Sequence, residues 1–117
     1  MTNGLPNAQL AIVEQRKVVD YLLATNHPAG RAKAAFFAHF GFTIGAWQKL
    51  RDALLLHARM MPVVSVSDTP FGRKYVLDGP LVSPDGRGPR VRAVWFVATG
   101  QTAPRLVTAY KLPGGDE

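Results

Sequence analysis

The chain has 117 residues, of which 47% are hydrophobic, no cysteine, and a formal net charge of +6 at pH 7. These values predict one globular domain and exclude a disulfide scaffold, a thiolate metal site and an intrinsically disordered chain. The positive charge predicts an anionic partner, nucleic acid or an acidic protein. A membrane surface is not expected, because no basic amphipathic helix with a wide apolar face stands out.

The first part of the chain predicts a flexible start followed by a helix. Residues 1–7 are small and polar, and are expected to be flexible. Hydrophobic and polar residues alternate only partly over residues 8–13, so this segment fits either a strand or the residues that lead into the first helix. Residues 14–24 predict that helix, with Val18 and Tyr21 on its apolar face.

The segment NHPAGRAKAAFF, which begins at Asn26, predicts a rigid corner between two helices. Pro28 cannot continue the first helix and biases the backbone of His27 toward extended geometry, while the glycine that follows permits a turn. Arg31 and Lys33 then fall in the first turn of the second helix, where the helix dipole slightly disfavours cations. The corner charges are therefore expected to be either solvated or bound to an anion.

Two further helices are predicted after this corner. The second helix covers about residues 32–40, and a third begins behind Thr43 as its N-cap and runs to about residue 60. His39 and His57 are predicted to lie on the surfaces of these helices.

After residue 62 the hydrophobic period changes from helical to strand-like. The predicted strands are residues 63–67, 74–77, 91–98 and 105–110. The elements together predict a single α+β domain over residues 8–112, with about three N-terminal helices packed on a C-terminal antiparallel sheet of three to four strands. Residues 113–117 are expected to form a flexible tail.

The sequence predicts no metal site and no other cofactor. The histidines show no ligand spacing and the acidic residues are scattered, while glycine loops of the phosphate-binding type and serine nucleophile motifs are missing. Arg92 stands out because it interrupts an apolar strand and requires a partner there. Period-two counting lets it face Thr108 or Tyr110 if the last two strands are neighbours.

Several motifs carry a resemblance: NHPAGRAKAAFFAHFGF, TPFGRKY, GPLVSPDGR, VRAVWF and PRLVTAY. Together they resemble a family of small bacterial domains of unknown function, found as free-standing proteins and as C-terminal toxin modules of secreted effectors. That family is similar to the ribonuclease superfamily that groups barnase, EndoU, the tRNA-cleaving colicins and RelE. The resemblance covers roughly residues 8–112 and implies metal-free RNA cleavage.

The resemblance also implies site residues. His27 and Lys33 match the family's HP–G–KA motif, Arg92 precedes its VW pair, and Thr108 and Tyr110 match its TAY motif. These five are the predicted catalytic residues. The predicted substrate-binding cations are Lys17, Arg31, Arg73, Lys74 and Arg90.

These residue types fit cleavage of RNA by attack of a 2′-hydroxyl on its own phosphate. His27 serves as base or acid, since its ordinary pKa is near neutral. Lys33 and Arg92 are expected to stabilise the negative charge on the phosphorane oxygens. Thr108 orients a phosphate oxygen, and Tyr110 stacks on a base or donates its proton.

Two classes of function follow from the sequence. The first is a cytoplasmic endoribonuclease toxin that cleaves RNA, with tRNA among the candidates, and pairs with a small acidic antitoxin or immunity protein. The second is a non-catalytic module on the same fold that binds nucleic acid or protein. Alanine at His27 separates the two, because a binder keeps most of its affinity through phosphate contacts.

Overall fold

The computed structural model describes residues 4–28 and 30–112. The helices are α1 (Gln15–Lys17), which continues as a π-helix (Val18–Leu22), α2 (Arg31–His39) and α3 (Trp47–Met60). The strands are β1 (Val63–Thr69), β2 (Gly72–Pro80), β3 (Arg90–Ala98) and β4 (Arg105–Lys111). The expected flexible tail, residues 113–117, and the first three residues of the expected flexible start, residues 1–7, lie outside the described residues; within that start, Leu5 is buried in the core.

The strands form one antiparallel sheet in the order β1-β2-β3-β4. One face of the sheet is buried, because Leu77, Ala93 and Trp95 have no exposed surface. These side chains join Leu50 and Leu54 of α3 in a single hydrophobic core. The opposite face carries the polar positions of the same strands, since side chains alternate along a strand.

Local sequence signals explain how the helices begin and end. Thr43 acts as the predicted N-cap: its Oγ1 accepts from the Ala46 N–H at 3.2 Å, in the 3₁₀ turn (Ile44–Ala46) that leads into α3. Gly41 ends the α2 region with a φ of 100°, a left-handed conformation that favours glycine.

The predicted arrangement of N-terminal helices on a C-terminal sheet is wrong. The described chain begins with a 3₁₀ turn (Ala8–Leu10) and an extended segment, so the helices lie in the middle of the chain. Ile12 forms a parallel bridge with Arg105 of β4, and its carbonyl accepts from the Leu106 N–H at 3.0 Å. The edge strand β4 has backbone groups that need partners, and this extended segment supplies them.

His57 is a second correction, because it does not lie on a helix surface. The residue is only 2% exposed, and its Nε2 donates to the Gly79 carbonyl of β2 at 3.1 Å. The helical period of α3 turns this position toward the core, where the Gly79 carbonyl satisfies Nε2 but the buried Nδ1 has no hydrogen-bond partner among the described residues. Among the described helices, none is both long and apolar enough to cross a membrane.

Candidate functional site

A polar row crosses the open face of the sheet from β2 to β4. The register pairs Asp78 with Arg92, and Arg92 with Tyr110. Thr108 lies on the same face, two residues before Tyr110 and opposite Val94. The sheet therefore brings three of the predicted catalytic residues, Arg92, Thr108 and Tyr110, onto one surface.

Arg92 is held by a bidentate ion pair. Its Nε and Nη2 donate to the two carboxylate oxygens of Asp78, both at 2.8 Å. The side chains are 32% and 15% exposed, so the pair is partly shielded from water. The hydrogen bonds and charge of Asp78, with a further contribution from Tyr110, raise the pKa of Arg92 and keep the guanidinium charged.

Lys33 links the sheet to the helices beside β4. Its Nζ lies 5.8 Å from the ring centroid of Tyr110 and 5.4 Å from that of Tyr21. Lys17, one turn before Tyr21, places its own Nζ 5.3 Å from the Tyr21 ring. The ammonium groups thus lie over aromatic rings, which is a favourable electrostatic arrangement.

Tyr21 occupies the centre of this cluster. Its hydroxyl forms a hydrogen bond of 3.2 Å with Thr108 Oγ1. Burial alone raises the pKa of Tyr21, but hydrogen bonds with Thr108 and Lys33 and the charges of Lys33 and Lys17 outweigh burial, and the pKa falls below 10.0. The surroundings therefore favour the phenolate more than water does.

His27 lies against the other side of Tyr21, with 5.2 Å between the ring centroids and an edge-to-face angle of 71°. The Gly30 N–H donates both to His27 Nδ1, at 3.1 Å, and to the His27 carbonyl, at 3.0 Å. Because Nδ1 accepts this hydrogen bond, the hydrogen of the neutral His27 ring lies on Nε2. If the ring turns Nδ1 away from Gly30, the Gly30 N–H still has the His27 carbonyl as its acceptor.

An open cleft of about 620 Å³ lies beside Tyr21 and His27, and Lys33, Arg92 and Tyr110 are not among its lining residues. Tyr21, His27, Thr108 and Lys17 line it. The carboxylates of Glu14 and Asp20 contribute to the same wall, so the cleft is mixed in charge rather than uniformly cationic. No group of three His, Asp or Glu side chains in the described ranges is arranged to hold a metal ion.

Of the other predicted substrate-binding residues, Arg73 and Lys74 lie far along the sheet from this cluster, whereas Arg31 and Arg90 adjoin it. Arg73 lies near the β1–β2 turn and forms an exposed ion pair with Asp68 at 2.6 Å. Lys74 shares the Arg92 face but lies opposite Phe96, about 13 Å along the strand from Arg92. Arg31 and Arg90 are exposed, Arg31 at the start of α2 and Arg90 two residues before Arg92.

Sequence reasoning missed two residues of the cluster. Tyr21 was assigned only to an apolar helix face, although its spacing of four from Lys17 is a signal that the two side chains meet. Asp78 follows the predicted strand 74–77, whereas the observed β2 continues to Pro80 and includes it. Only strand register reveals Asp78 as the partner that Arg92 requires.

Comparisons with known proteins assign the chain to a family and identify a solved structure with a similar fold. The chain belongs to the family described as Domain of unknown function (DUF6883), whose model matches residues 4–113. Among the curated proteins, none matches the chain.

Among solved structures, the chain is similar to one chain of the contact-dependent growth inhibition toxin–immunity protein complex from Klebsiella pneumoniae 342. The TM-score is 0.70 at 14% identity, and the match covers 92% of this chain and 97% of that chain. At this identity the similarity shows a shared fold.

Proposed function

We propose that this member of the DUF6883 family is a metal-independent endoribonuclease toxin that is paired with a small acidic immunity or antitoxin protein. One observation carries the proposal: the five predicted catalytic residues come from three distant parts of the chain and meet around Tyr21 and Arg92. Such convergence of a histidine, cations and hydroxyls suits phosphoryl chemistry.

The reaction that fits these groups is attack of an RNA 2′-oxygen on the adjacent phosphorus. His27 takes the 2′-hydroxyl proton at Nε2 once its ring has turned Nδ1 away from the Gly30 N–H and its remaining hydrogen is on Nδ1; the Gly30 N–H then keeps the His27 carbonyl as its acceptor. Lys33 and Arg92 stabilise the negative charge that develops on the phosphoryl oxygens. The products are a 2′,3′-cyclic phosphate and a 5′-hydroxyl.

The proposed partner follows from charge. The chain carries 14 Lys and Arg against 8 Asp and Glu, so an acidic protein that covers the cleft meets complementary potential. The complex to which the chain is structurally similar is a toxin–immunity protein complex by its description. An RNA substrate further implies action in the cytoplasm of the affected cell.

The test is induced expression in a bacterial host, with total RNA and tRNA examined on gels. Wild-type protein is expected to arrest growth and give discrete RNA fragments, whereas His27→Ala and Arg92→Ala give neither. His39→Ala is the matched control, since His39 is an exposed histidine of α2 outside the cleft. Healthy growth and intact RNA with the wild type contradict the proposal.

A second candidate function is a non-catalytic module that binds nucleic acid or protein. The observation that favours it is the Arg92–Asp78 pair, in which two guanidinium donors are already engaged by a carboxylate. A binder tolerates this arrangement, because it requires no free donor at a reacting phosphate. Under this alternative, His27→Ala leaves affinity for RNA nearly unchanged and no variant affects RNA integrity.

A further inference from the structure

The hydroxyl of Tyr21 is the polar group to which the cleft residues converge. It contacts Thr108 Oγ1 at 3.2 Å and forms a hydrogen bond with Lys33. Its ring borders His27 on one side and has two ammonium groups over it, at 5.3 and 5.4 Å from the centroid. The residue also lines the cleft, where a bound RNA reaches it.

The backbone around Tyr21 is specialised to place this side chain. Tyr21 lies in the π-helix (Val18–Leu22), a rare geometry that is frequent at functional sites. The corner packs directly on it, because a Cβ built on Gly30 lies 2.2 Å from the Tyr21 carbonyl oxygen. Gly30 is therefore required for the close approach that brings His27 beside Tyr21.

We propose that Tyr21 is the general acid of the RNA cleavage, and donates its hydroxyl proton to the departing 5′-oxygen. This inference rests on the proposed function. In the step, the 2′-oxygen forms a bond to phosphorus and the bond from phosphorus to the 5′-oxygen breaks. The 2′-hydroxyl proton goes to His27 and the Tyr21 proton to the 5′-oxygen. The 2′-oxygen thus becomes an ester oxygen of the cyclic phosphate and the 5′-oxygen a neutral hydroxyl; solvent then returns a proton to the phenolate and removes one from His27.

The charges around Tyr21 favour an acid rather than a base. An acid gains negative charge as the reaction proceeds, and Lys17 and Lys33 stabilise that charge more strongly at the transition state than in the ground state. A phenolate base loses negative charge along the same path, so the lysines then oppose the reaction. The lowered pKa of Tyr21 agrees with this electrostatic picture.

Tyr21 fits the role better than Tyr110, the tyrosine that the sequence singles out. Tyr21 shares the cleft with His27, so an acid and a base face one bound phosphate. Tyr110 lies in the sheet row opposite Arg92 and does not line that cleft. Its position suits support of Arg92 and Lys33 rather than proton donation.

The test compares two RNAs that share one sequence. The first is ordinary RNA, and the second has sulfur in place of the 5′-bridging oxygen at the cleaved linkage, so that the leaving thiolate needs no proton. Tyr21→Phe is expected to slow cleavage of ordinary RNA about 10²–10⁴-fold, and to leave cleavage of the sulfur-substituted RNA within about tenfold of wild type. His27→Ala is expected to slow both. Tyr75→Phe, which loses a hydroxyl on the core face of β2, is the matched control.

The other possible outcomes contradict either the acid role of Tyr21 alone or the ribonuclease function as well. Equal losses on both RNAs with Tyr21→Phe, or no loss on either, overturn the acid role and leave the ribonuclease function standing. Absence of cleavage of both RNAs by the wild type overturns the proposed function and this inference with it. Independently of activity, Tyr21→Phe is expected to remove one phenolate transition below pH 10 from an ultraviolet titration, and persistence of that transition contradicts the assigned environment of Tyr21.

Discussion

Arg92 and Asp78 face each other on β3 and β2, and two hydrogen bonds of 2.8 Å join the guanidinium to both carboxylate oxygens. The pair fixes the plane of the guanidinium and leaves Arg92 opposite Tyr110 on its other side. Asp78 thereby positions a cation of the cluster without lining the cleft itself. A substitution at Asp78 therefore changes how the Arg92 guanidinium is positioned while the charge of Arg92 itself is kept.

Asp78→Asn is expected to lower the free energy of unfolding by about 1.5–3 kcal/mol, because charge-assisted hydrogen bonds in a partly shielded site are lost. Asp68→Asn is the matched control. Its ion pair with Arg73 is exposed, so its loss is expected to change the free energy of unfolding far less than the loss of the Asp78 pair. Urea unfolding measures both changes, and equal effects of the two substitutions contradict the structural role of Asp78.

His57 is expected to make stability depend on pH. Burial lowers the pKa of His57 below 6.5, against weaker opposing effects of the Gly79 and Val91 carbonyls and the charge of Asp78. His57 therefore takes up a proton more readily in the unfolded chain than in the folded chain. As a result, the free energy of unfolding decreases as the pH falls below about 6.5, by at most about 1.4 kcal/mol per pH unit.

The measurement for His57 is denaturant unfolding between neutral and mildly acidic pH. His57→Gln is expected to reduce the slope of stability against pH, whereas His39→Gln, at an exposed position, keeps it. An unchanged slope in His57→Gln shows that another group causes the dependence. Hydrogen bonds with Arg87 and Ser83 lower the pKa of Asp85 to about 2. The stability that Asp85 contributes is therefore lost in a separate, more acidic range, as the pH falls below its ordinary pKa of 3.8.

Gly30→Ala is expected to destabilise the protein by about 1–3 kcal/mol, because the added Cβ meets the Tyr21 carbonyl oxygen at 2.2 Å. Gly45→Ala is the control, since a Cβ there has no neighbour within 4 Å in the described residues. Thermal unfolding compares the two. A Gly30→Ala variant as stable as Gly45→Ala shows that the corner does not pack tightly on Tyr21.

Lys17→Ala is expected to weaken RNA binding and to reduce the slope of log affinity against log salt by about 0.7, the value for one lost phosphate contact with a single strand. The probe is 2′-O-methyl RNA, which lacks the attacking hydroxyl and stays intact. Lys49→Ala, an exposed lysine of α3, is expected to keep the wild-type slope. Identical slopes in the two variants show that Lys17 does not contact an RNA phosphate.

The helical corner shows what local signals predict well. Pro28 excludes a helix at that point and the following glycine permits the close turn, so the sequence alone placed His27 outside α2 and Lys33 inside it. The register of β3 and β4 confirms that Arg92 faces Tyr110, one of the two partners that period-two counting allowed. By contrast, His57 was misplaced and the structure of residues 8–13 was left open, because burial against β2 and a bridge from Ile12 to β4 depend on distant segments.

The amino-acid sequence by itself determined the elements near this site and the chemical types that they carry, because proline, glycine and hydrophobic period act over a few residues. Tertiary structure alone decided which of these groups meet. Tyr21 joins Thr108 across 87 positions of the chain and Arg92 finds Asp78 across 14, and both contacts follow from strand register and helix packing, which many weak interactions set together. The cluster is therefore a property of the fold, while its chemistry was already present in the sequence.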